Sequence, residues 1–383
     1  MSQLTPFDIS ELTAFRCELH RFPELSGEEQ DTARRVKFML SAHDPDRMIT
    51  GIGGHGLAAI YEGSADGPTV MIRCELDALP IQERSGASHA STSHGKAHLC
   101  GHDGHMAIVA GLARLLHRQP PLHGRVVLLF QPAEETGAGA GAVTEDPKFA
   151  EIRPDYAFAL HNRPGFALGH VGLAEGPVNC ASRGMKLRLR GKEAHASEPQ
   201  NGVSPAPVLA ELAHAFPALS RGKIGEPDFT LVTLTHLRMG APAFGISPGE
   251  AEIFATLRTA TDAGMNALLA QAETLVRKTT EQYGVCADWD YVDVFHHCEN
   301  NPEAVSILRS ALDGLGISHD TAGCPMSASE DFGRFGQYAK SAMLFLGAGE
   351  TCPALHNPDY DFPDQLIPRG IAIFERVLRD MLG

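Results

Sequence analysis

The sequence is poor in aromatic residues and in basic charge. Aromatic side chains make up 7% of the residues, with a single Trp, and 32 Lys and Arg face 47 Asp and Glu, a formal net charge of -15 at pH 7. Such a protein repels phosphate backbones and anionic lipid at long range, and it offers few rings to stack on bases. We therefore expect neither nucleic acid nor a membrane surface as a partner.

Long apolar runs and closely spaced cysteines are also missing. A membrane helix needs about 18 consecutive apolar residues, and no stretch of the sequence reaches that length. Residues 1–6 lack the charged and apolar regions of a secretory signal. The eight cysteines, scattered from Cys17 to Cys352, show no framework of the kind that holds small secreted domains together. These absences favour a cytoplasmic protein with mostly reduced cysteines.

The 383 residues, 43% of them hydrophobic, are enough for two domains. From residue 56 to 160, short apolar runs alternate with helical periodicity, which is typical of strands buried on both faces of a mostly parallel sheet. From about residue 179 the strands alternate apolar and polar residues instead, as in Met185–Arg190, which indicates a sheet with one wet face. We predict an α/β domain, a mostly parallel mixed sheet with helices on both faces, over 1–178 and 293–383, with an α+β sandwich domain inserted at 179–292.

Reactive side chains follow several predicted strand ends. Cys100 and His102 are two residues apart on a turn loosened by Gly101, just before a predicted helix, while Glu134 and Glu135 directly follow a buried strand. Active sites form at such strand ends in open α/β sheets. Adjacent residues on an extended segment point in opposite directions, so one carboxylate can bind a metal while its neighbour faces a substrate water. Taken alone, each group also fits a helix entrance or a solvated acidic pair.

Two further histidines complete a possible metal site. His161 ends another apolar run, and His356 lies in a proline-rich loop. Five side chains then supply nitrogen, oxygen and sulfur donors: Cys100, His102, Glu135, His161 and His356. Five donors exceed what one catalytic zinc needs and suit two ions that share a water, lower its pKa and polarise a carbonyl. With Glu134 as the base that takes the water proton, this arrangement suits amide hydrolysis.

The order and spacing of the motifs resemble those of the M20 metallopeptidase superfamily, specifically its N-acyl-amino-acid amidohydrolase branch, which includes hippurate hydrolases and plant auxin-conjugate hydrolases. The resemblance runs over nearly the whole length. It is carried by residues 19–21, 23–29, 77–80, 100–103, 131–135, 191–196, 329–332 and 355–358.

The resemblance implies a catalytic domain with two divalent metal ions, interrupted by a smaller domain that acts as a lid or mediates a homodimer or higher homo-oligomer. By position, the five donors match metal ligands and Glu134 matches the general base. His195 matches a histidine that donates to the developing oxyanion. Arg258 matches an arginine that can clamp a substrate carboxylate, and Asp77 orients a ligand such as His102. The soft Cys100 sulfur favours Zn, Co or Ni, whereas the other donors also accept Mn.

Two positions depart from the pattern of the branch. Glu75 stands where an Asp is usual, and it could reach a metal, rearrange the groups that support the ligands, or contact a basic substrate group. Gly245 stands where an Asn usually helps to hold substrate, which indicates an altered specificity. The alternative for Arg258 is a surface residue paired with Glu250 or Glu252.

The sequence thus predicts a metal-dependent amidohydrolase that cleaves an N-acyl amino acid or a related small amide with metal-activated water and Glu134. A dipeptidase or carboxypeptidase on the same scaffold is the nearest alternative, followed by removal of an amine from a small aromatic compound. A metal-containing binding protein without catalysis, and a Cys100 nucleophile, are the alternatives from other classes.

Overall fold

The computed structural model describes residues 4–383. The α-helices are α1 (Pro6–Arg21), α2 (Gln30–Ser41), α3 (His102–Arg118), α4 (Gly139–Glu145), α5 (Phe149–Ile152), α6 (Ala206–Ala215), α7 (Asp262–Tyr283), α8 (Pro302–Leu315) and α9 (Leu366–Leu382). The strands are β1 (Arg47–Ile52), β2 (Gly56–Glu62), β3 (Ala65–Glu75), β4 (His123–Gln131), β5 (Tyr156–Pro164), β6 (Val171–Gly172), β7 (Gly176–Asn179), β8 (Ala181–Arg190), β9 (Ala194–His195), β10 (Thr230–Met239), β11 (Ile246–Ser247), β12 (Glu250–Thr259), β13 (Cys286–Phe295), β14 (Cys298–Asn300), β15 (His319–Asp320) and β16 (Lys340–Gly349). Within this described part of the chain, no helix combines the length and apolarity needed to cross a bilayer.

The chain divides into two compact units. The first contains the described residues up to Val178 together with Cys298–Cys324 and Glu330–Gly383, and the second contains Asn179–His297 and Pro325–Ser329. The first unit is therefore built from separate parts of the chain.

An eight-stranded mixed sheet forms the centre of the first unit, in the order β1-β2-β4-β3-β5-β16-β6-β15. The four inner strands β4, β3, β5 and β16 run parallel to one another, whereas β1 and β2 join antiparallel. The parallel arrangement brings the carboxyl ends of β3, β4 and β5 to one edge of the sheet. The predicted mostly parallel α/β fold is confirmed.

Helix α3 is buried on nearly every side. The sequence pattern predicted one apolar face formed by Met106, Val109, Leu112 and Leu116, but Ala107, Ala110 and Ala113 are also fully buried. The reason is that α3 packs against β3 and β4 and also against α1, α2 and α9. Small residues let those neighbours approach closely, so periodicity alone underestimates the burial of this helix.

The second unit has a four-stranded antiparallel sheet in the order β10-β12-β8-β13, with α6 and α7 packed on it. Met185, Leu187 and Leu189 of β8 are buried in its core, while Lys186 and Arg188 between them are partly exposed. This alternation confirms the predicted α+β sandwich. The sequence pattern predicts a helix over 203–218, but α6 begins at Ala206, directly after Pro205, and it ends at Ala215, because Pro217 cannot donate a helical hydrogen bond.

The close packing of α3 can be tested at Gly104. A Cβ added there would lie 2.4 Å from the ring of the buried Phe362. Overpacking of this kind costs about 1–3 kcal/mol, more than the about 1 kcal/mol that alanine gains over glycine in a helix. Gly104→Ala should therefore lower the free energy of unfolding, measured by urea denaturation without added metal. Gly141→Ala in α4 is the matched control, because its Cβ would meet only the flexible Arg334 side chain at 3.4 Å; equal stability changes in both variants would contradict the packing argument.

Candidate metal centre

The turn before α3 places Cys100 and His102 side by side. Gly101 has φ 95°, a backbone conformation that glycine adopts without a Cβ penalty, and a Cβ there would lie 2.3 Å from the Asn162 side-chain oxygen. The turn points the Cys100 sulfur to within 3.4 Å of Nε2 of His161, which lies on β5. The sequence prediction that these three residues share one site agrees with this geometry.

The segment after β4 is a turn and not an extended strand. Ala133 has φ 51°, and the Gly137 N–H donates to the Glu134 carbonyl oxygen at 2.8 Å. The prediction that Glu134 and Glu135 point in opposite directions is therefore wrong. A positive φ reverses the chain, so both carboxylates approach Nε2 of His102, at 3.8 Å for Glu134 and 3.9 Å for Glu135.

His356 completes the group from the far end of the chain. Its backbone is also left-handed, with φ 66°, and its N–H donates to the Leu99 carbonyl oxygen at 2.8 Å. The ring is half exposed, and its Nε2 lies 3.6 Å from Oε2 of Glu135. The pairing with Leu99 explains how a proline-rich loop presents one imidazole to this pocket.

The five predicted ligands thus come together in the first unit. Three sets have ligand atoms that all lie within 4.8 Å of one another: Cys100 with His102 and His161, Cys100 with Glu135 and His356, and His102 with Glu134 and Glu135. Nε2 of His102 and Oε1 of Glu135 are buried and have no hydrogen-bond partner among the described residues. Buried nitrogen, sulfur and carboxylate atoms that lack partners are the chemistry that divalent metals satisfy, so these residues fit metal ions.

Asp77 orients two of the candidate ligands. Nδ1 of His102 donates to the Asp77 carbonyl oxygen at 2.8 Å, which leaves Nε2 as the atom that faces the pocket. The Asp77 carboxylate accepts from the Glu135 N–H at 2.9 Å and from the Ser26 hydroxyl at 2.6 Å. Although burial opposes ionisation, the His102 ring, with Nδ1 at 3.6 Å from the Asp77 carboxylate, and the Ser26 hydroxyl lower the pKa of Asp77.

Glu75 is held by two buried partners, the Arg73 guanidinium and the His105 ring. One carboxylate oxygen contacts the Arg73 guanidinium, and the other lies 2.7 Å from Nδ1 of His105. Arg73 also binds Asp331 at 2.6 Å and Glu330 at 2.9 Å. Sequence reasoning missed Arg73, although a charged residue inside an otherwise apolar strand is a signal for a buried ion-pair network.

Burial makes negative charge costly in this pocket. Burial, together with the nearby Glu135 and Glu134, raises the pKa of the Cys100 thiol well above its usual range, and burial raises the pKa of Glu135 to about 7. Burial and Glu330 raise the pKa of Glu134 as well. A thiol with a raised pKa is a poor nucleophile, which disfavours the alternative of Cys100 nucleophilic catalysis.

The imidazoles differ in the same pocket. Burial lowers the pKa of His161 to about 3, so its ring is neutral and able to bind a metal. For His102 burial acts in the same direction, but the bond to Asp77 and the charges of Glu75 and Glu135 outweigh it and raise the pKa to about 10. The acids around His102 are thus numerous enough to stabilise positive charge at this place.

Three predicted substrate-side residues, His195, Gly245 and Arg258, lie in the second unit. Nδ1 of His195 accepts a hydrogen bond from the Ser197 N–H at 3.2 Å, and the Gly245 carbonyl oxygen accepts one from Ala196 at 3.0 Å. Arg258 donates to the Ser327 carbonyl oxygen at 3.0 Å and to the Ser329 hydroxyl at 2.9 Å, and not to Glu250 or Glu252. Their roles toward substrate stay predictions.

Comparison with known proteins assigns the family. A protein-family model described as "Peptidase family M20/M25/M40" matches residues 71–380. The chain belongs to this family. An N-acetyl-L-cysteine deacetylase of Bacillus subtilis is 31% identical, over 88% of this chain and 80% of that protein. An IAA-amino acid hydrolase, ILR1-like 4, of Arabidopsis thaliana is 28% identical, over 94% of this chain and 83% of that protein.

A solved structure extends the comparison to the fold of this M20-family chain. A Bacillus subtilis protein described as a dinuclear metal binding peptidase of the M20 family superposes with a TM-score of 0.83 at 24% identity and covers 99% of both chains. The family predicted from the motifs is therefore confirmed. The predicted class of enzyme, a metal-dependent amidohydrolase, is confirmed as well. The candidate ligand groups support bound divalent metal.

Metal binding can be tested at His356. The His356 ring contacts Glu135 in the candidate site. Mutation of residues that only hydrogen-bond to a metal ligand already weakens metal binding by about tenfold to a hundredfold, so His356→Ala should weaken it by at least that much. Elemental analysis after dialysis should show a lower metal-to-protein ratio. His94→Ala, a change of an exposed histidine, is the control and should leave the ratio unaltered. An unchanged ratio in His356→Ala would rule out ligation by this side chain.

Proposed function

We propose that this M20-family chain hydrolyses the amide bond of an N-acyl amino acid at a centre with two divalent ions, with Glu134 as general base. The observation that carries the proposal is the overlap of two donor sets, Cys100 with His102 and His161, and Cys100 with Glu135 and His356. These sets share the Cys100 sulfur and together use all five predicted ligands. Glu134 lies beside these two donor sets and belongs to neither, so its carboxylate is available for proton transfer.

Two bound ions would polarise the amide carbonyl and lower the pKa of the attacking water. The residues of this chain supply the rest of the chemistry. Glu134 is 5% exposed, and its Oε2 lies 3.8 Å from Nε2 of His102, so its carboxylate faces the ligand atoms. From there it takes the proton of the attacking water and returns it to the leaving nitrogen. Asp77 keeps His102 and Glu135 oriented during both transfers.

His195 is proposed to donate to the oxyanion that develops on the carbonyl oxygen, the role implied by the family resemblance. Because Nδ1 accepts a hydrogen bond from the Ser197 backbone, the neutral ring carries its proton on Nε2. That N–H is the donor an oxyanion requires.

The substrate class follows from the relatives and from Arg258. The deacetylase and the IAA-amino acid hydrolase are both named for amides of amino acids. Arg258 has no carboxylate partner among the described residues, so the proposed clamp on a substrate carboxylate is chemically open. Gly245 has no atom within 4 Å of where a Cβ would stand, which leaves room that an Asn side chain would occupy. We propose that this room admits a different acyl or amino-acid group.

The metal, the assembly and the compartment are also proposals. The donor set suits Zn, Mn, Co or Ni.

A homodimer formed through the second unit is supported by exposed apolar side chains on and near the edge strand β10: Leu237, Met239, Phe244 and Ile246. Such apolar groups at an unpaired sheet edge are suited to bury surface against a second copy. Placement in the cytoplasm rests on the sequence alone.

The activity is tested with a panel of N-acyl amino acids and dipeptides on protein loaded with each of the four metals. We expect N-acyl amino acids to be turned over faster than dipeptides.

Glu134→Gln should keep its metal but lose at least about 100-fold in kcat, because the amide cannot take the water proton. Glu62→Gln, a change of an exposed acid, is the control. A preference for dipeptides would favour the peptidase alternative, no turnover despite full metal binding would favour the binding protein, and a near-normal rate for Glu134→Gln would remove Glu134 as base.

His195→Ala should lower kcat by roughly 100-fold or more while metal content stays constant, because it removes one oxyanion donor. Steady-state kinetics and elemental analysis of the same sample measure both quantities. Mixing inactive His195→Ala and Glu134→Gln proteins should restore activity if His195 acts across subunits. Wild-type kcat for His195→Ala would exclude it from the reaction.

A further inference from the structure

The segment of residues 24–29 is bound to the loop that follows β3. The Glu24 carbonyl oxygen accepts from the Ala78 N–H at 2.8 Å, and Leu25 forms a β-bridge with the same residue. The Ser26 hydroxyl donates to the Asp77 carboxylate at 2.6 Å. The segment therefore braces the residue that orients His102 and Glu135, a task that its motif in the sequence does not reveal.

The same segment also reaches the turn that carries Glu134. Oε1 of Glu29 accepts a hydrogen bond from the Ala133 N–H at 2.8 Å. Glu29 is 0% exposed, and its Oε2 has no hydrogen-bond partner among the described residues. Burying a carboxyl is costly, and backbone N–H groups offset that cost here, those of Gly27 and of Glu29 itself together with that of Ala133. The Ala133 N–H belongs to the turn before Glu134, so the Glu29 side chain links its own segment to that turn.

The contact acts where the backbone is strained. Ala133 has φ 51°, which L-residues with a Cβ rarely adopt, and the next residue is the proposed base. The Ala133 carbonyl oxygen accepts from the Gly139 N–H at 3.0 Å, so its peptide groups are tied on both sides. Strained backbone of this kind persists only where surrounding contacts hold it.

Buried carboxylates bind backbone N–H groups one residue before and one residue after Glu134. The Glu29 carboxylate accepts a hydrogen bond from the Ala133 N–H, and the Asp77 carboxylate accepts one from the Glu135 N–H at 2.9 Å. The backbone on either side of the base is thereby fixed, and its side chain is directed at Nε2 of His102. Without Glu29 the first of these two constraints is lost while the second remains.

We infer that Glu29 is a positioning residue for Glu134, which it aims by holding the left-handed turn at Ala133. The inference rests on the proposed function, because it assumes that Glu134 is the base. Glu29 contacts neither substrate nor metal in this account. Its removal should therefore change kcat while KM and metal content are preserved.

The test compares three changes at position 29. Glu29→Met fills a similar volume without an acceptor, and it should lower kcat by about tenfold to a hundredfold, the range expected when a catalytic group is displaced by about 1 Å. Glu29→Gln keeps an oxygen for the Ala133 N–H and should stay within about threefold of wild type. Glu29→Asp keeps the charge but shortens the reach, and it should resemble Glu29→Met. Rates are expressed per folded, metal-loaded molecule, from elemental analysis and thermal melting of each sample.

A second-site change separates positioning from a purely structural role. Glycine adopts a positive φ without a Cβ penalty, so Ala133→Gly should recover part of the lost kcat in the Glu29→Met background. Glu28→Ala is the matched control, since Glu28 is an exposed neighbour that pairs with Lys96 at the surface; it should leave kcat unchanged.

Three contradicting outcomes are distinguishable. Wild-type kcat in both Glu29→Met and Glu29→Asp, with Glu134→Gln inactive, would overturn the role of Glu29 and leave the proposed function intact. Activity that survives in Glu134→Gln would overturn the proposed function itself. A loss in Glu29→Met that Ala133→Gly fails to relieve, accompanied by lost metal, would assign Glu29 to the support of the ligands and contradict the inference.

Discussion

The electrostatic cost of burying many acids in one pocket governs this structure. Glu134, Glu135 and Cys100 face the same space, and burial raises the pKa of each, so their charged forms are unfavourable without a counter-charge. Divalent cations supply that counter-charge and also satisfy the ligand atoms that lack hydrogen-bond partners. The pocket therefore fits divalent cations, and the proposed hydrolysis depends on them.

The surrounding residues keep these costly groups in place. Asp77 orients His102 through its carbonyl oxygen and Glu135 through its carboxylate. Arg73 compensates the buried carboxylates of Glu75, Glu330 and Asp331. A site whose members come from separate strand ends needs such support, because a small displacement of a catalytic group has a large effect on rate.

The sequence predicted the parts of the fold that depend on local chemistry. The sequence pattern predicts helices over 262–283, 302–315 and 366–382, and α7, α8 and α9 have these bounds. In α7 and α8 the caps Thr261 and Asn301 and left-handed glycines at the carboxyl ends help to set them. The five candidate ligands were predicted from their places beside apolar runs or in turns and from the family resemblance. The turn at Ala133 and the network of Arg73 were not predicted, because a positive φ in alanine and long-range ion pairs arise only from tertiary contacts.

The central claim is that five side chains of one unit converge on two cations and leave Glu134 free. Anomalous diffraction from crystals grown with Zn or Mn tests it most directly. The account predicts two peaks about 3.5–4 Å apart, bounded by Cys100, His102, Glu135, His161 and His356, with the Glu134 carboxylate beside them and bound to neither. One peak alone, peaks at other residues, or Glu134 as a direct ligand would contradict the account.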